Sequence, residues 1–326
     1  MTQGSQTITT GGSATSPRVA PPRSSSASLR KALGRDWATA WLFLFPCMLV
    51  IVGLIAYPFF SAILLSFQAK LVGAPATWVG FQNYNELLFG RDVGGIFRHS
   101  VVVSITFVVA AQAMKAVLGL LMALLLNEQF PFRMFVRGVF FIPWAIPTLI
   151  AGLTWKWMYD PTPIGLLNMI AIRLGLTTDL IQWLGNYNMA LWSVTVAVVW
   201  ASTPFWAMML LAGLQAISSE QYEASEIDGA DVFQRFWNIT LPGISNVLII
   251  TFMLSTIWTA NSINFVYVLT GGGPANATMI FPLLAYQIGV AGAQRLGMGA
   301  TISLFFFPVF LVMIYFLTKR MLAEEK

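Results

Sequence analysis

An all-α polytopic membrane protein with six transmembrane helices is the fold class this sequence predicts, and three observations carry the prediction. The chain of 326 residues is 57% hydrophobic and only 10% charged, whereas about a quarter of a soluble domain's residues are charged. Its mean hydropathy is +0.73. Its apolar residues fall into six runs that reach the roughly 20 residues a helix needs to cross the hydrocarbon core. These runs are continuous rather than alternating, which favours helices over a barrel.

Residues 1–36 come first, rich in Ser, Thr, Gly, Pro and Arg. They have too little apolar mass to offset the entropy of ordering, so a disordered cytoplasmic tail is expected. A transmembrane domain then runs over 37–320, followed by a short cytoplasmic tail at 321–326. The first span, 39–67, is longer than the apolar core of a cleaved signal and has no small-residue cleavage site after it, so it is read as a retained anchor. It holds the lone cysteine, Cys47, expected in buried packing, and one cysteine excludes a disulfide framework or zinc spacing. The remaining spans are 100–126, 138–158, 189–214, 246–270 and 298–318. The run 280–295, broken by Pro282, Gly289 and Gly292, is expected to be partly interfacial. His99 has no partners for a metal cluster, and no metal site is expected.

Basic residues set the orientation. With the N-terminus inside, the inner segments carry eleven Lys and Arg and the outer ones five, so both termini face the cytoplasm. The segment between spans four and five then faces the cytoplasm too. It is unlike the rest of the chain: Glu220, Glu223, Glu226, Asp228 and Asp231 are five of the 13 acidic residues. Ser218 with Gln221 and Asp228 with Asp231 are placed to cap two short helices. Gly229 permits a reversal between them, and Pro242 is expected to end the second helix before span five. Tyr222, Ile227, Phe233, Phe236 and Trp237 give this hairpin an apolar side, which either the chain's own bundle or a partner must cover.

The same residues carry a resemblance. Glu223-Ala224-Ser225, Gly229 four positions after Ser225, and Ile239, Leu241 and Pro242 resemble the E-A-A, three residues, G, nine residues, I-x-L-P motif of ABC importer permeases. Ser225 stands where the motif has its second alanine. The segments PFWAMMLLAGLQAIS and FVYVLTGGGPANAT resemble the carbohydrate branch of that family, the maltose-type permeases, and the likeness covers residue 40 to the end. It implies a type I ABC importer permease fold, with residues 215–245 docking on a cytosolic ATPase. Glu223, Ala224, Ser225, Asp228, Gly229, Ala230, Ile239, Leu241 and Pro242 would form the coupling surface.

No Asp or Glu lies in the six spans, and such residues mark proton and ion relays. Lys156 is expected to snorkel at the outer end of span three, and Lys115 to face a protein-lined or wet interior. Hydroxyls and amides beside aromatics remain, and they suit a sugar. Ser255, Thr259 and Ser262 lie at i, i+4 and i+7 on one helical face, with Trp258 on the flank and Asn261 and Asn264 on another face. Trp144 and Thr148 lie one turn apart, directly after Pro143 and Pro147, and Ser202 and Phe205 flank Pro204. Such hydroxyls either bond their own backbone or a neighbouring helix, or line a path. The resemblance implies sugar contacts for Trp144, Thr148, Ser202, Phe205, Ser255, Thr259 and Ser262. Phe205 and Trp144 depart from the aromatics usual there, and a trehalose importer permease suits this chain.

The implied assembly has a second permease subunit, two copies of an ABC ATPase and an extracytoplasmic sugar-binding lipoprotein, in a bacterial plasma membrane. The chain lacks a G-x-x-x-x-G-K-[ST] loop, so it is expected to be no enzyme and to bind no cofactor; the partner ATPase uses ATP and Mg. No nucleic-acid partner is implied, because the net charge of +5 reflects membrane orientation. Three rival readings stand: an ATP-independent sugar carrier, a permease for another polar solute such as glycerol phosphate, and an intramembrane enzyme, for which no catalytic constellation is seen.

Overall fold

The computed structural model describes residues 40–324, with side chains as far as Met321. The expected tail 1–36 lies outside the described residues, as does the end of the tail 321–326. The chain divides into two compact units, Met1–Pro58 and Phe59–Lys326. In the first, the described residues belong to α1 (Ala40–Ser66), which the unit boundary divides. Trp41, Phe43 and Leu54 are exposed around it, as suits a helix with hydrocarbon for solvent. Cys47, expected in buried packing, is exposed as well.

The second unit opens with a small hairpin, β1 (Gln68–Ala69) antiparallel to β2 (Thr77–Trp78), and the short α2 (Gln82–Phe89). The long α3 (Val93–Asn127) follows. Its 35 residues span about 52 Å at 1.5 Å each, so it begins well before the expected 100. The expected span 138–158 is two helices, α4 (Arg133–Ala145) and α5 (Thr148–Met158), bent by 90°. Pro147 is the cause: it forces Ile146 into extended backbone and cannot itself continue α4. Next come α6 (Leu166–Arg173), α7 (Tyr187–Gln215) and α8 (Ser219–Ile227). Then follow α9 (Val232–Ala260), α10 (Ile263–Leu269), α11 (Phe281–Ala291), α12 (Leu296–Phe305) and α13 (Phe307–Glu324).

Packing decides whether the bent pair crosses the membrane. Early α3 residues Val103 and Phe107 share a buried cluster with early α7 residues Val194 and Val198. Late α3 residues Ala123 and Leu126 share another with late α7 residues Leu210 and Leu214. The two helices are therefore parallel, and the chain between them must return the full distance. Arg137 Nη2 donates to Leu126 O at the end of α3 (2.7 Å), while Tyr159 Oη, just past α5, donates to Ser193 O near the start of α7 (2.9 Å). Hence α4 and α5 make one broken crossing, which joins the five unbroken candidate spans among the described residues to give six.

One further expectation is corrected. The span 246–270 ends as a helix at Ala260, and Asn261 and Ser262 have non-helical backbone before α10. The segment 280–295 is divided: Leu283, Leu284 and Ala285 of α11 are buried in the main core with residues of α3, α10 and α12, whereas residues 290–294 are exposed. The closest approach of α3 to α7 needs a glycine: a Cβ on Gly119 would lie 2.6 Å from Trp206 Cβ. Trp206 itself is 0% exposed.

Candidate functional site

A cavity of about 160 Å³ opens between α4, α5, α7, α9 and α10. The break at Pro147 places Trp144 on α4 and Thr148 at the first turn of α5, so the two reach the cavity from different helices rather than one turn apart. From α7 come Ser202 and Phe205, and from α9 Ser255, Trp258 and Thr259. Ser262 lines it too, although the helix has ended there and the expected i, i+7 face is lost. Asn261 and Asn264 are not in the lining: the break separates them, Asn261 Nδ2 donates to Ile257 O (2.8 Å), and Asn264 Nδ2 donates to Thr148 Oγ1 (3.2 Å). Eight of the ten residues the sequence proposed thus surround one space.

The wall is aromatic and hydroxylic, with no carboxylate in it. Phe205 stands between Trp144, at 6.4 Å and nearly parallel, and Trp258, at 5.0 Å and tilted. Both tryptophans are about half exposed, so their faces are free to meet an apolar ring surface. Ser202 Oγ donates to Val198 O, which uses its one proton and leaves acceptor capacity.

Sequence reading missed what stands behind this wall. Lys115 is 0% exposed and donates to Ser255 Oγ (2.8 Å) and Thr259 Oγ1 (2.7 Å). Gln112, one turn earlier on α3, accepts from Ser255 Oγ (3.1 Å) and donates to Thr256 Oγ1 (2.6 Å). The signal was there: two polar residues at i and i+3 in an apolar run share a face, and the polar face of α9 is what they meet.

The acidic hairpin forms at the other end of α7. Ser218 caps α8, accepting from Glu220 N (3.3 Å). Gly229, at φ +76°, reverses the chain. Asp228 does not cap the second helix as expected; it ends the first, and the capping box belongs to Asp231 with Gln234 (2.7 and 3.0 Å). The turn through the left-handed Gly229 thus moves the N-cap of the second helix from Asp228 to Asp231, three positions later than expected. Pro242 does not end the second helix either. A π turn over Phe236–Thr240, where Leu241 N bonds Phe236 O, widens the helix where an α-helix would set the proline ring against the Asn238 carbonyl. The second helix of the hairpin and span five are therefore the single helix α9.

Within the hairpin, Arg235 pairs with Glu226, and Tyr222 Oη meets Thr240 Oγ1 at 3.0 Å. Glu223, Ala224, Asp228, Gly229 and Pro242 are exposed, while Ser225, Ala230, Ile239 and Leu241 are half-buried. Ile227, Phe233 and Trp237 are 88%, 76% and 62% exposed. Apolar groups this bare, rimmed by carboxylates, mark a binding surface.

Residues 115–322 match the family model described as binding-protein-dependent transport system inner membrane component. The trehalose/maltose transport system permease protein MalF of Thermococcus litoralis is 37% identical over 85% of this chain and 91% of its own length. The diacetylchitobiose uptake system permease protein DasB of Streptomyces coelicolor is 32% identical over 91% of this chain and 90% of its own. A crystal structure of a bacterial ABC transporter involved in import of the acidic polysaccharide alginate aligns with a TM-score of 0.75 at 20% identity, covering 90% of this chain and 97% of that one.

Proposed function

The chain belongs to the family of binding-protein-dependent transport system inner membrane components, and from that premise we propose that it conducts a neutral di- or oligosaccharide, trehalose first among them, as one permease subunit of an ATP-driven importer. It is a non-catalytic subunit, with ATP hydrolysis on another chain. The observation that carries the reading is the cavity: four aromatic side chains and five hydroxyl groups around one space inside the bundle, with no carboxylate. Aromatic faces suit the apolar faces of pyranose rings, and hydroxyl groups suit their rims. The relatives named for trehalose/maltose and diacetylchitobiose support a sugar of this size.

The exposed hairpin of α8 and the first turns of α9 is the ATPase-docking surface in this reading, through Glu223, Ala224, Ser225, Asp228, Gly229, Ala230, Ile239, Leu241 and Pro242. Ile227, Phe233 and Trp237 bury their apolar area in the partner's cleft. The complete machine holds a second permease subunit, two ATPase chains and an extracytoplasmic binding protein, and both termini of this chain face the cytoplasm. Closure of the ATPases pushes the hairpin, and α9 carries the push to Ser255, Trp258 and Thr259 because it is one helix.

The test is co-purification of the complex followed by trehalose-stimulated ATP hydrolysis and uptake. Gly229→Asp serves as the coupling variant. A Cβ at this position meets open space in the isolated chain, so the cost to folding is limited to the left-handed backbone, about 1 to 2 kcal/mol. A protein that accumulates normally but neither takes up trehalose nor stimulates the ATPase is the expected result. Unchanged uptake by this variant, or uptake without any ATPase, would overturn the assignment.

A further inference from the structure

Lys115 is a fully buried cation in a membrane whose spans hold no Asp or Glu, and intramembrane charges are retained for function rather than for stability. Its two hydrogen bonds, to Ser255 Oγ and Thr259 Oγ1, reach the backs of two side chains whose fronts line the cavity. A hydroxyl has one proton to give and two lone pairs to receive with. The Thr259 proton goes to the Ser255 carbonyl (2.7 Å), a group that only accepts. The Ser255 proton goes to Gln112 Oε1 (3.1 Å).

The direction of that last bond is fixed from the far end of the network. Thr256 Oγ1 gives its proton to Phe252 O (2.7 Å), so towards Gln112 it can only accept. Gln112 therefore turns its Nε2 to Thr256 (2.6 Å) and its Oε1 to Ser255. Both hydroxyl protons are thus committed within the bundle, and two of the three N–H donors of Lys115 occupy one lone pair on each hydroxyl. One lone pair on each is left for the cavity.

We infer that Gln112 is a positioning residue that, by holding the Ser255 proton while the Ser255 carbonyl holds that of Thr259 and Lys115 takes one lone pair of each, keeps the Ser255–Thr259 wall an acceptor-only surface, which receives the O–H donors of a neutral sugar and turns away carboxylate, sulfonate and phosphate groups. This deepens the sugar reading above and rests on it. The buried charge attracts an anion from a distance, but Lys115 is 0% exposed and its ammonium cannot reach the ligand. At contact an anionic oxygen would meet the two remaining lone pairs instead.

The experiment is competition against labelled trehalose, or against maltose if trehalose is not carried, in vesicles holding the whole importer. The competitors are the monodeoxy and monodeoxyfluoro analogues at each ring position. Fluorine accepts weakly and cannot donate. At the position that meets the wall, both analogues should compete about 2- to 10-fold worse than the natural sugar, the worth of one hydrogen bond, and a uronic acid analogue should not compete. Gln112→Leu removes the acceptor that holds the Ser255 proton and lets that hydroxyl turn it towards the ligand. The fluoro analogue should then gain on the deoxy one, and KM should rise with Vmax little changed, whereas Gln112→Glu, still an acceptor towards Ser255, should keep the parent pattern. The parent comparison needs no variant to fold. A fluoro analogue equal to the natural sugar at every position, or a fluoro-to-deoxy ratio unmoved by Gln112→Leu, would overturn the inference alone. Uptake of neither disaccharide would overturn the sugar reading with it.

Discussion

Arg295 grips Glu86 with both guanidinium nitrogens, Nη1 to Oε1 at 2.7 Å and Nη2 to Oε2 at 2.6 Å. These hydrogen bonds, and the charge behind them, hold the Glu86 carboxyl below its usual range and raise Arg295. The pair ties α2 to the strand-like segment before α12, where Leu71 bridges to Arg295. Both side chains are about a third exposed, so screening limits the contribution to roughly 0.2 to 1 kcal/mol. A carboxylate with a lowered folded pKa stabilises above its unfolded value, here 4.5, and loses that contribution as pH falls through the folded one. Thermal unfolding should therefore show Glu86→Gln less stable than the parent at pH 7, the gap closing below about pH 4.5; a gap constant down to pH 3 would refute the pairing. Residue types at this scale were only partly legible. The eight cavity residues were readable because hydroxyls beside aromatics stand out in apolar helices and the resemblance pointed to seven of them. Lys115 and Gln112 were visible as polar but not as partners of Ser255, because pairing across α3 and α9 depends on the register of two helices more than a hundred residues apart.

Helices were legible as runs of apolar residues, and their breaks were not. Pro143 and Pro147 both signal a kink, yet Pro143 lies inside α4 while Pro147 ends it. The same residue type gives both outcomes within five residues, so proline alone does not tell a tolerated kink from a break. Pro242 misled in the other direction, since the π turn before it lets α9 pass through. The end of span five was hidden because Asn261, Ser262 and Ile263 are all tolerated in helices. The α3–α7 contact belongs to this scale as well. Gly119 lets α3 approach Trp206, the small-residue contact on which helices in lipid depend, because no hydrophobic force acts between them there. Gly119→Val should push the two helices apart at a cost of about 1 to 3 kcal/mol, read as a lowered melting temperature of the purified complex. Gly138→Val, where a Cβ meets nothing, should melt like the parent. Equal melting of both variants would show that the glycine is not what sets the approach.

The topology of the whole molecule turns on the broken pair α4–α5. If it crosses, residues before Arg133 and after Met158 lie on opposite faces, α7 runs inward and the acidic hairpin reaches the cytoplasm. If it turned back as a re-entrant loop, α7 would start from the cytoplasm and the hairpin would face outward, where no ATPase could meet it. The parallel course of α3 and α7 requires a crossing, and two long-range contacts agree. Arg320, near the C-terminus, donates to Asn246 at the hairpin end of α9, and His99, early in α3, meets Asn276 O at 3.2 Å beyond the far end of α10. Each contact joins segments that the six-span reading puts on the same face, and in the proposed orientation, which rests on the excess of Lys and Arg, the face that holds Arg320 and Asn246 is the cytoplasmic one. With Cys47 changed to Ser, single cysteines at the exposed positions Gln129, Leu174 and Ile227 should separate the alternatives. A membrane-impermeant maleimide should label Leu174→Cys in right-side-out vesicles, and Gln129→Cys and Ile227→Cys only in inverted ones. Labelling of Gln129→Cys and Leu174→Cys from the same face would make the bent pair re-entrant, move the hairpin outside and remove the ground for ATPase coupling through it.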